Sequence, residues 1–296
     1  MRRMRFTAWV ILVATLLLWS GNWIVARAVR NDIAPGLATV GRLAIVLVIL
    51  VPFALNGLRE KLPPLKSRDW QVLAALGFTG GGLHLGLQWL GLHYTTATSG
   101  ILYLSMSPIF ILMMAAPLGE RIGARQWAGV AISFCGVYLI ATQGRPAAPS
   151  FNIGDLMALA SMVMWAGYTV LLRVRRDPLS TIELLVAVCA FGALFMVPWV
   201  VYEVWVGETI RLSNVGLLAI LYSAIGSLLL AYAGWSYVVR RLGAARAGVT
   251  LHLMPAFGVA LAAILLREYP SWFHFAGIAL ILGGVALSSL KALKAS

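Results

Sequence analysis

Acidic residues are scarce in this sequence, and charged residues of both signs are few. Only 11% of the 296 residues are charged, with 10 Asp and Glu against 23 Lys and Arg, while 61% are hydrophobic. Ordinary soluble domains carry about 25% charged residues. The mean hydropathy of +0.89 is well above their range. At about 20 apolar residues per span, the chain has room for roughly ten to twelve transmembrane helices and for no soluble domain.

Cysteines and interior carboxylates are also nearly missing. Cys135 and Cys189 both lie in apolar runs, which argues against a disulfide framework or a metal site. Each Asp and Glu lies in a predicted loop or near a helix end, so the interior offers no carboxylate for a proton or sodium relay. We expect no catalytic residue, metal or cofactor, and the lack of interior Asp excludes an aspartyl protease of the membrane. An intramembrane acyl-transferase and a membrane chaperone stay as alternatives to a transporter.

Apolar windows bounded by charges, Pro and Gly divide the chain into ten segments of spanning length. The predicted spans lie near residues 8–29, 36–56, 70–92, 97–118, 124–142, 153–173, 181–204, 214–238, 245–266 and 271–290.

The basic residues orient these spans. With the N-terminus inside, 17 Lys and Arg fall in cytoplasmic segments and five on the other side, while Arg42 lies within the second span. This is the positive-inside bias of a multi-pass membrane protein, and it predicts that both termini are cytoplasmic. The net charge of +13 therefore reflects orientation and not a nucleic-acid partner.

A sequence repeat relates the two halves of the chain. Matching residues recur in order at an offset of 146 residues that drifts to 148, and coincidence in Gly-rich apolar sequence is the alternative explanation. The pairs are Trp19 with Trp165, Gly21 with Gly167, Arg27 with Arg173, Gly80 with Gly226, Trp89 with Trp235, Pro108 with Pro255, and Glu120 with Glu268.

The repeat predicts an inverted architecture. Each half, residues 1–145 and 146–296, holds five predicted spans, and an odd number makes the second copy enter the membrane from the opposite side. Inverted repeats are frequent in secondary transporters, because two similar halves can expose one site to each side in turn. The predicted fold class is an all-α integral membrane protein with ten transmembrane helices, arranged as two inverted five-helix repeats around a central cavity.

The likeness to a known family lies in the stretches that begin at Trp19 and Trp165, in the segment that begins at Pro108, and in the glycines before His84. These stretches resemble the EamA-type branch of the drug/metabolite transporter superfamily, over nearly the whole chain. Within that branch, the length and the aromatic midplane are most similar to the bacterial aromatic amino-acid exporters. The second copy departs from the pattern, with Leu266-Arg267 before Glu268. The stretches that carry the likeness are Trp19 to Arg27, Trp165 to Arg173, Pro108 through Leu118-Gly119-Glu120 to Gly129 and Gly136, and Thr79-Gly80-Gly81-Gly82 before His84.

The resemblance implies a transporter of the bacterial inner membrane. The first four helices of each half would surround the cavity, and spans five and ten would lie outside as braces. The implied cargo is amino acids, aromatic or otherwise apolar, and related metabolites that move outward, while another small metabolite or a drug stays as an alternative. We expect a monomer whose partners are its small-molecule substrate and the lipid bilayer.

Polar and aromatic side chains recur at helical spacing inside the predicted spans. In span three, small and polar residues from Gly77 to Gly91 form a stripe that we expect to face protein or water. Span four places Tyr103 and Ser107 one turn apart, and the repeat relates Trp19 with Asn22 to Trp165 with Tyr168. The predicted substrate-binding residues are Trp19, Asn22, His84, Gln88, Tyr103, Ser107, Trp165, Tyr168, Tyr232 and His252.

Each interior candidate also has a plainer interpretation. For Trp19 and Trp165, one interpretation is that they line a cavity, and the other is that they pack in the core. His84 and His252 are hydrogen-bonded core residues, or they couple transport to protons. Arg42 holds a substrate carboxylate, or it reaches the surface or a helix-end carbonyl, which costs less free energy and is favoured here.

Orientation can be tested with single cysteines in a background with Cys135→Ala and Cys189→Ala. We expect Arg145→Cys to react with a membrane-impermeant maleimide added to whole cells, and Arg175→Cys to stay unlabelled, because basic loops remain inside. Labelling of both, or of Arg175→Cys alone, would overturn the orientation and the inversion argument with it.

Overall fold

The computed structural model is all-helical in the residues that it describes, which are 2–115, 123–145, 152–208, 213–242 and 253–289, and these ranges contain no strand. Within them, π-helical turns at Gly77–Leu83 and Tyr222–Leu230 and a 3₁₀ turn at Leu104–Met106 join successive helices, and a further π-helical turn, Ala262–Leu266, follows the helix Met254–Leu261. The helices are α1 (Arg2–Ala28), α2 (Pro35–Lys61), α3 (Ser67–Leu76), α4 (His84–Tyr94), α5 (Ala97–Tyr103), α6 (Ser107–Ala115), α7 (Ala124–Ala141), α8 (Ile153–Val174), α9 (Thr181–Trp205), α10 (Asn214–Leu221), α11 (Ala231–Leu242), α12 (Met254–Leu261) and α13 (Trp272–Ser289).

Apolar side chains cover the outside of this bundle, and polar ones lie within it. Val48, Phe53 and Leu218 are exposed, while Asn22 and Gln88 are buried. Such a distribution suits a lipid surrounding and not water. Within the described residues, helices long and apolar enough to cross a membrane cover Trp9–Ala28, Pro35–Lys61, Ile153–Leu172, Thr181–Trp205 and Asn214–Trp235.

Shorter apolar helices, such as Trp127–Ile140 and Trp272–Gly284, complete the bundle. The chain is therefore a multi-pass membrane protein. The described helices overlap each of the ten predicted segments. That all ten cross the membrane, and that the two halves are inverted, stay predictions.

We name one end of the bundle the 29–34 end, after the loop between α1 and α2. Arg27 links several chain segments at this end. Its Nε lies 3.4 Å from Glu268 Oε1, beyond α12. Its Nη1 donates to the carbonyl oxygens of Leu92 and His93 near the end of α4, both at 3.0 Å. One guanidinium therefore joins three separate chain segments at this end.

We name the opposite end the 62–66 end, after the loop between α2 and α3. An ion pair links two helices there. Lys61 Nζ lies 2.9 Å from Glu183 Oε2, so the last turn of α2 pairs with the first turn of α9. Ser180 caps α9 by accepting from the backbone N–H of Glu183, and the Glu183 carboxylate accepts in return from the backbone N–H of Ser180 at 2.6 Å. The same carboxylate thus sets the start of α9 and its position beside α2.

Glu203 sets the position of α2. This helix begins at Pro35, which suits the first helical turn because proline lacks an N–H that would be unpaired there. The Glu203 carboxylate, near the end of α9, accepts from the N–H groups of Gly36 and Leu37 at 2.7 and 3.0 Å. A negative charge at a helix N-terminus is favourable. The contact holds α2 against α9 and so sets the depth of residues further along α2.

Glycine lets the π-helical turn Gly77–Leu83 approach α9 at backbone distance. A Cβ on Gly192 would lie 2.6 Å from the carbonyl carbon of Gly81, and a Cβ on Gly81 would overlap the carbonyl oxygen of Val188. No other residue fits these positions without displacing backbone. The stripe predicted to face protein is confirmed as buried, namely Gly77, Gly81, His84, Gln88 and Gly91.

Helices α7 and α13 pack chiefly on each other through small residues. A Cβ on Gly277 would lie 3.0 Å from the Gly136 carbonyl oxygen. Ser133 Oγ donates to the Ile281 carbonyl at 3.2 Å. Small residues thus let these two helices approach each other closely, as is common between helices in membranes.

Neighbouring glycines on α13 provide a matched test of this packing. A Cβ on Gly284 would overlap the Gly129 carbonyl oxygen and lie 2.8 Å from the Ser133 amide nitrogen, whereas one on Gly283 meets nothing within 4 Å. Overpacking costs about 1–3 kcal/mol, so Gly284→Ala should lower the Tm of the purified protein and Gly283→Ala should not. Equal Tm values in a thermal unfolding assay would contradict the close contact between α7 and α13 at Gly284.

Candidate functional site

Helix α2 carries Arg42 into the interior, where its side chain is 1% exposed. Nη1 donates to Ser223 Oγ at 3.0 Å, and Nη2 donates to the Leu85 carbonyl at 2.9 Å. The guanidinium carbon lies 5.1 Å from the ring centre of Trp89, within the range of a cation–π contact. The expectation that Arg42 reaches the surface is therefore wrong. Its backbone partner lies near the start of α4 and not at a helix end facing the lipid headgroups.

Two amides continue the polar contacts of Arg42. Ser223 Oγ donates to Asn22 Oδ1 at 2.5 Å, and Asn22 Nδ2 donates to Gln88 Oε1 at 3.3 Å. All four side chains are buried. We name Asn22, Arg42, Gln88 and Ser223 the polar layer. It joins α1, α2 and α4 with the π-helical turn that follows α10, so both halves of the sequence contribute to it.

An aromatic group lies beside this layer on α4 and α8. The His84 ring is centred 5.1 Å from the ring of Trp165, which is centred 5.4 Å from the ring of Tyr168. His84 Nδ1 lies 3.0 Å from the Ser161 carbonyl oxygen, and Ser161 Oγ donates to the His84 carbonyl at 2.9 Å. A ring nitrogen that faces a carbonyl must carry its proton. This is the hydrogen-bonded core arrangement, which is one of the two interpretations that the sequence leaves open for His84.

A second aromatic group lies on α1 and α11. Trp19 is centred 5.7 Å from Tyr232 and 5.6 Å from Trp235, and its indole Nε1 donates to the Ser227 carbonyl at 3.1 Å. Tyr232 and Trp165 both pack against one buried cluster, so the two aromatic groups border the same part of the core. We name the two groups together the aromatic layer.

The two layers are offset by about one helical turn. Asn22 follows Trp19 on α1, and Gln88 follows His84 on α4, each by three or four residues, or about 5 Å along the helix. In both helices the polar member is nearer the 29–34 end. The interior thus presents aromatic faces at one depth and hydrogen-bonding groups at the next.

The structure does not bring every predicted site residue to these layers. Tyr103 is fully buried in a cluster with Val130 and Ile281 of α7 and α13. Ser107 Oγ donates to the Leu104 carbonyl at 2.7 Å and lies 3.2 Å from Met162 Sδ. His252 lies outside the described residues.

Sequence reasoning missed Ser161 and Ser223, since small neutral residues in apolar runs carry no distinguishing pattern. Arg42 had a signal, because it is a charged residue in the middle of a predicted span. From that signal alone we favoured contact with the surface or with a helix-end carbonyl over contact with a substrate carboxylate.

A separate cavity of about 220 Å³ lies at the 29–34 end. Arg30, His93 and Glu208 are among its lining residues. Its lining includes no residue of the polar or aromatic layers, and it belongs to the loops that close this end.

Comparison with known proteins relates both halves of the chain to one family. The model of the EamA-like transporter family matches residues 6–142 and again 152–290. A solved crystal structure of a protein aligns with 98% of this chain and 99% of its own at a TM-score of 0.63 and 23% identity, which shows a shared fold.

Relatives at low identity cover nearly the full length. An uncharacterized transporter of Archaeoglobus fulgidus is 27% identical over 95% of this chain and 97% of its own. The uncharacterized transporter YetK of Bacillus subtilis is 25% identical over 96% and 87%. A protein of Streptantibioticus cattleyicolor named a probable terminal-alkyne amino-acid exporter is 26% identical over 95% and 93%. These names point to transport and not to catalysis. With both of its halves matched by one family model, the chain belongs to the EamA-like transporter family and is a multi-pass membrane transporter of small metabolites.

Proposed function

We propose that this transporter exports amino acids with aromatic or other apolar side chains, and related small metabolites, by alternating access through an interior site. The observation that carries the proposal is the pairing of an aromatic layer with a polar layer one turn away. A zwitterion has charged groups that cannot enter an apolar site unpaired, and a side chain that gains free energy from burial and stacking. The two layers match these two needs.

Other cargo classes fit this interior less well. Phosphorylated molecules call for several cationic side chains at one place. Among the described residues the polar layer holds one, Arg42, beside neutral amides and a hydroxyl. The relative named as an amino-acid exporter supports the same cargo class.

The proposed mechanism includes two inverted five-helix halves, residues 1–145 and 146–296, in a monomer of the bacterial inner membrane with cytoplasmic termini. The π-helical turns support it. Gly77–Leu83 and Tyr222–Leu230 hold Gly80 and Gly226, which the sequence repeat pairs. A local break at the same place in both halves is expected if the halves are structural copies, and π-helical turns are frequent at functional sites.

Alternating access requires each end of the bundle to open in turn. At the 29–34 end, Arg27 and Glu268 hold α1 to the segment after α12, and Glu268 Oε2 also accepts from the backbone N–H of Thr98 at 3.2 Å. At the 62–66 end the tie is Lys61 with Glu183. We propose that these ion pairs break and re-form as the ends exchange accessibility.

The cargo can be tested with purified protein in liposomes. We expect saturable uptake of labelled phenylalanine, tryptophan or leucine, and none of a nucleotide sugar. Absence of flux for all amino acids in the panel would refute the proposed cargo class.

The direction of transport is tested in cells that produce the protein. If the protein exports its cargo, these cells should be more resistant to a toxic aromatic analogue such as fluorophenylalanine. Greater sensitivity would indicate import.

The energy source is tested in the same liposomes with a pH gradient. The described interior offers His84, whose Nδ1 is engaged by Ser161, and the sequence adds His252. We expect facilitated flux, or proton coupling that a His84→Gln, His252→Gln double variant abolishes. Uphill transport driven by a pH gradient in that variant would refute coupling through these histidines.

The aromatic layer is tested by truncation. Trp165→Ala removes the ring between His84 and Tyr168, and stacking alone is worth about 0.5–1.5 kcal/mol per pair, so the apparent affinity should fall several-fold. His84→Ala should reduce flux further, because it also leaves Ser161 without its ring partner. Cys135→Ala, at an exposed position on α7, is the control. Equal flux in all three variants at equal membrane abundance would place the site elsewhere.

A further inference from the structure

The buried charge of Arg42 lacks a counterion in the part of the chain that the structure describes. The partners of its guanidinium are a hydroxyl, a backbone carbonyl and the face of Trp89. A cation that is 1% exposed in an apolar surrounding is costly unless an anion compensates it. Neutral hydrogen bonds satisfy donors but do not neutralise charge.

The buried carboxylates of the described residues are all engaged elsewhere. Asp155 accepts from Thr95, and Glu183 pairs with Lys61. Glu203 accepts from the first N–H groups of α2, more than one helical turn before Arg42. The half-buried Glu268 pairs with Arg27 at the 29–34 end, and the buried carboxylate of Asp177 pairs with Arg175. None of these ion pairs or hydrogen bonds includes Arg42.

One donor of Arg42 is also unused. Its Nε is buried and has no hydrogen-bond partner among the described residues. Guanidinium presents its N–H groups as a planar fork that matches a carboxylate, and a buried N–H without a partner is itself unfavourable. Both deficits, the missing charge and the missing acceptor, would be removed by one carboxylate.

We propose that Arg42 binds the carboxylate of the transported molecule, and that the polar layer is the subsite for this group. The proposal rests on the proposed function and makes it more specific. Leu85 holds the guanidinium next to His84, and Ser223 lies one turn from Ser227, the partner of Trp19. A carboxylate at Arg42 therefore lies about one turn from the aromatic layer, which receives the side chain.

The neutral members of the polar layer then orient Arg42 and take part in selecting the cargo. The amide oxygens of Asn22 and Gln88 each accept one hydrogen bond within the layer, and the second lone pair of each can accept from an ammonium group close to the bound carboxylate. A cargo with a carboxylate and an apolar body, with or without an ammonium, satisfies the site. An amide or amine of the same shape leaves the charge of Arg42 uncompensated.

The deciding experiment compares acids with their isosteric amides on the wild-type protein, which requires no substitution. Binding of phenylalanine and phenylalaninamide, and of 3-phenylpropionate and 3-phenylpropanamide, is measured by isothermal titration calorimetry in detergent, with protein-free micelles as the blank. We expect each acid to bind about tenfold or more tightly than its amide. Equal affinity within both pairs would overturn the proposal, and so would absence of binding by both acids.

Variants separate a ligand contact from a purely structural role. Arg42→Met should abolish the preference for acids, while Arg42→Lys, which keeps the charge and loses the fork, should retain part of it. Arg175→Met, which removes a cation paired with Asp177 between α8 and α9, is the control and should bind as wild type. A structural role alone would weaken acid and amide equally. Unchanged preference in a folded Arg42→Met protein would overturn the proposal, and the wild-type comparison decides it if that variant does not fold.

The two proposals fail in different ways. If acids bind through Arg42 but no amino acid in the panel crosses the liposome membrane, the proposed cargo is wrong and the carboxylate subsite stands. If amino acids are carried while acids and amides bind alike, the proposed function stands and the role of Arg42 is refuted.

Discussion

A polar group buried in an apolar surrounding cannot form a hydrogen bond with water, so the chain itself must supply its hydrogen-bond partner. The polar layer is the clearest result of this constraint. Each of its contacts joins a different pair of helices, and loss of one partner would leave a buried donor or acceptor at a cost of about 1–3 kcal/mol. The layer therefore holds α1, α2, α4 and the turn after α10 in one register, and the aromatic side chains one turn away take their places from that register.

Close backbone approach provides the second support. Gly81 against Gly192, and Gly136 against Gly277, bring helices nearer than any side chain would allow. The contact between Gly81 and Gly192 holds the π-helical turn Gly77–Leu83, which α4 follows, against α9. The contact between Gly136 and Gly277 pairs α7 with α13. Among the described residues, the ion pairs lie at the two ends, such as Arg27 with Glu268 and Lys61 with Glu183. The proposed site at mid-depth, with ion pairs at both ends and the packed pair of α7 and α13 nearby, is consistent with the proposed alternating access.

The candidate site was partly predictable, and the successes and failures have physical causes. Trp19 and Trp165 were named because the repeat relates them at an offset of 146 residues, while Tyr168 and Tyr232 were named as aromatic residues inside predicted spans. In the structure these four side chains belong to two ring groups. Tyr103 was named because it lies one turn from Ser107 in a predicted span, but it faces the α7 and α13 pair. The side of a helix that meets a given neighbour depends on packing that periodicity does not encode. Ser223 could not be found, because a serine acquires its role from the side chains placed beside it.

Composition, hydropathy and the recurrent residues alone determined that the chain is an all-helical membrane protein, where its helices lie, and which family it resembles. These properties can be read from short stretches of the sequence, namely from the length of each apolar segment and from the helical spacing of its small residues. The burial of Arg42 could be decided only by the tertiary structure. Its charge could have reached the surface, but the positions of Leu85, Trp89 and Ser223, which are brought together from distant parts of the chain, bury it instead.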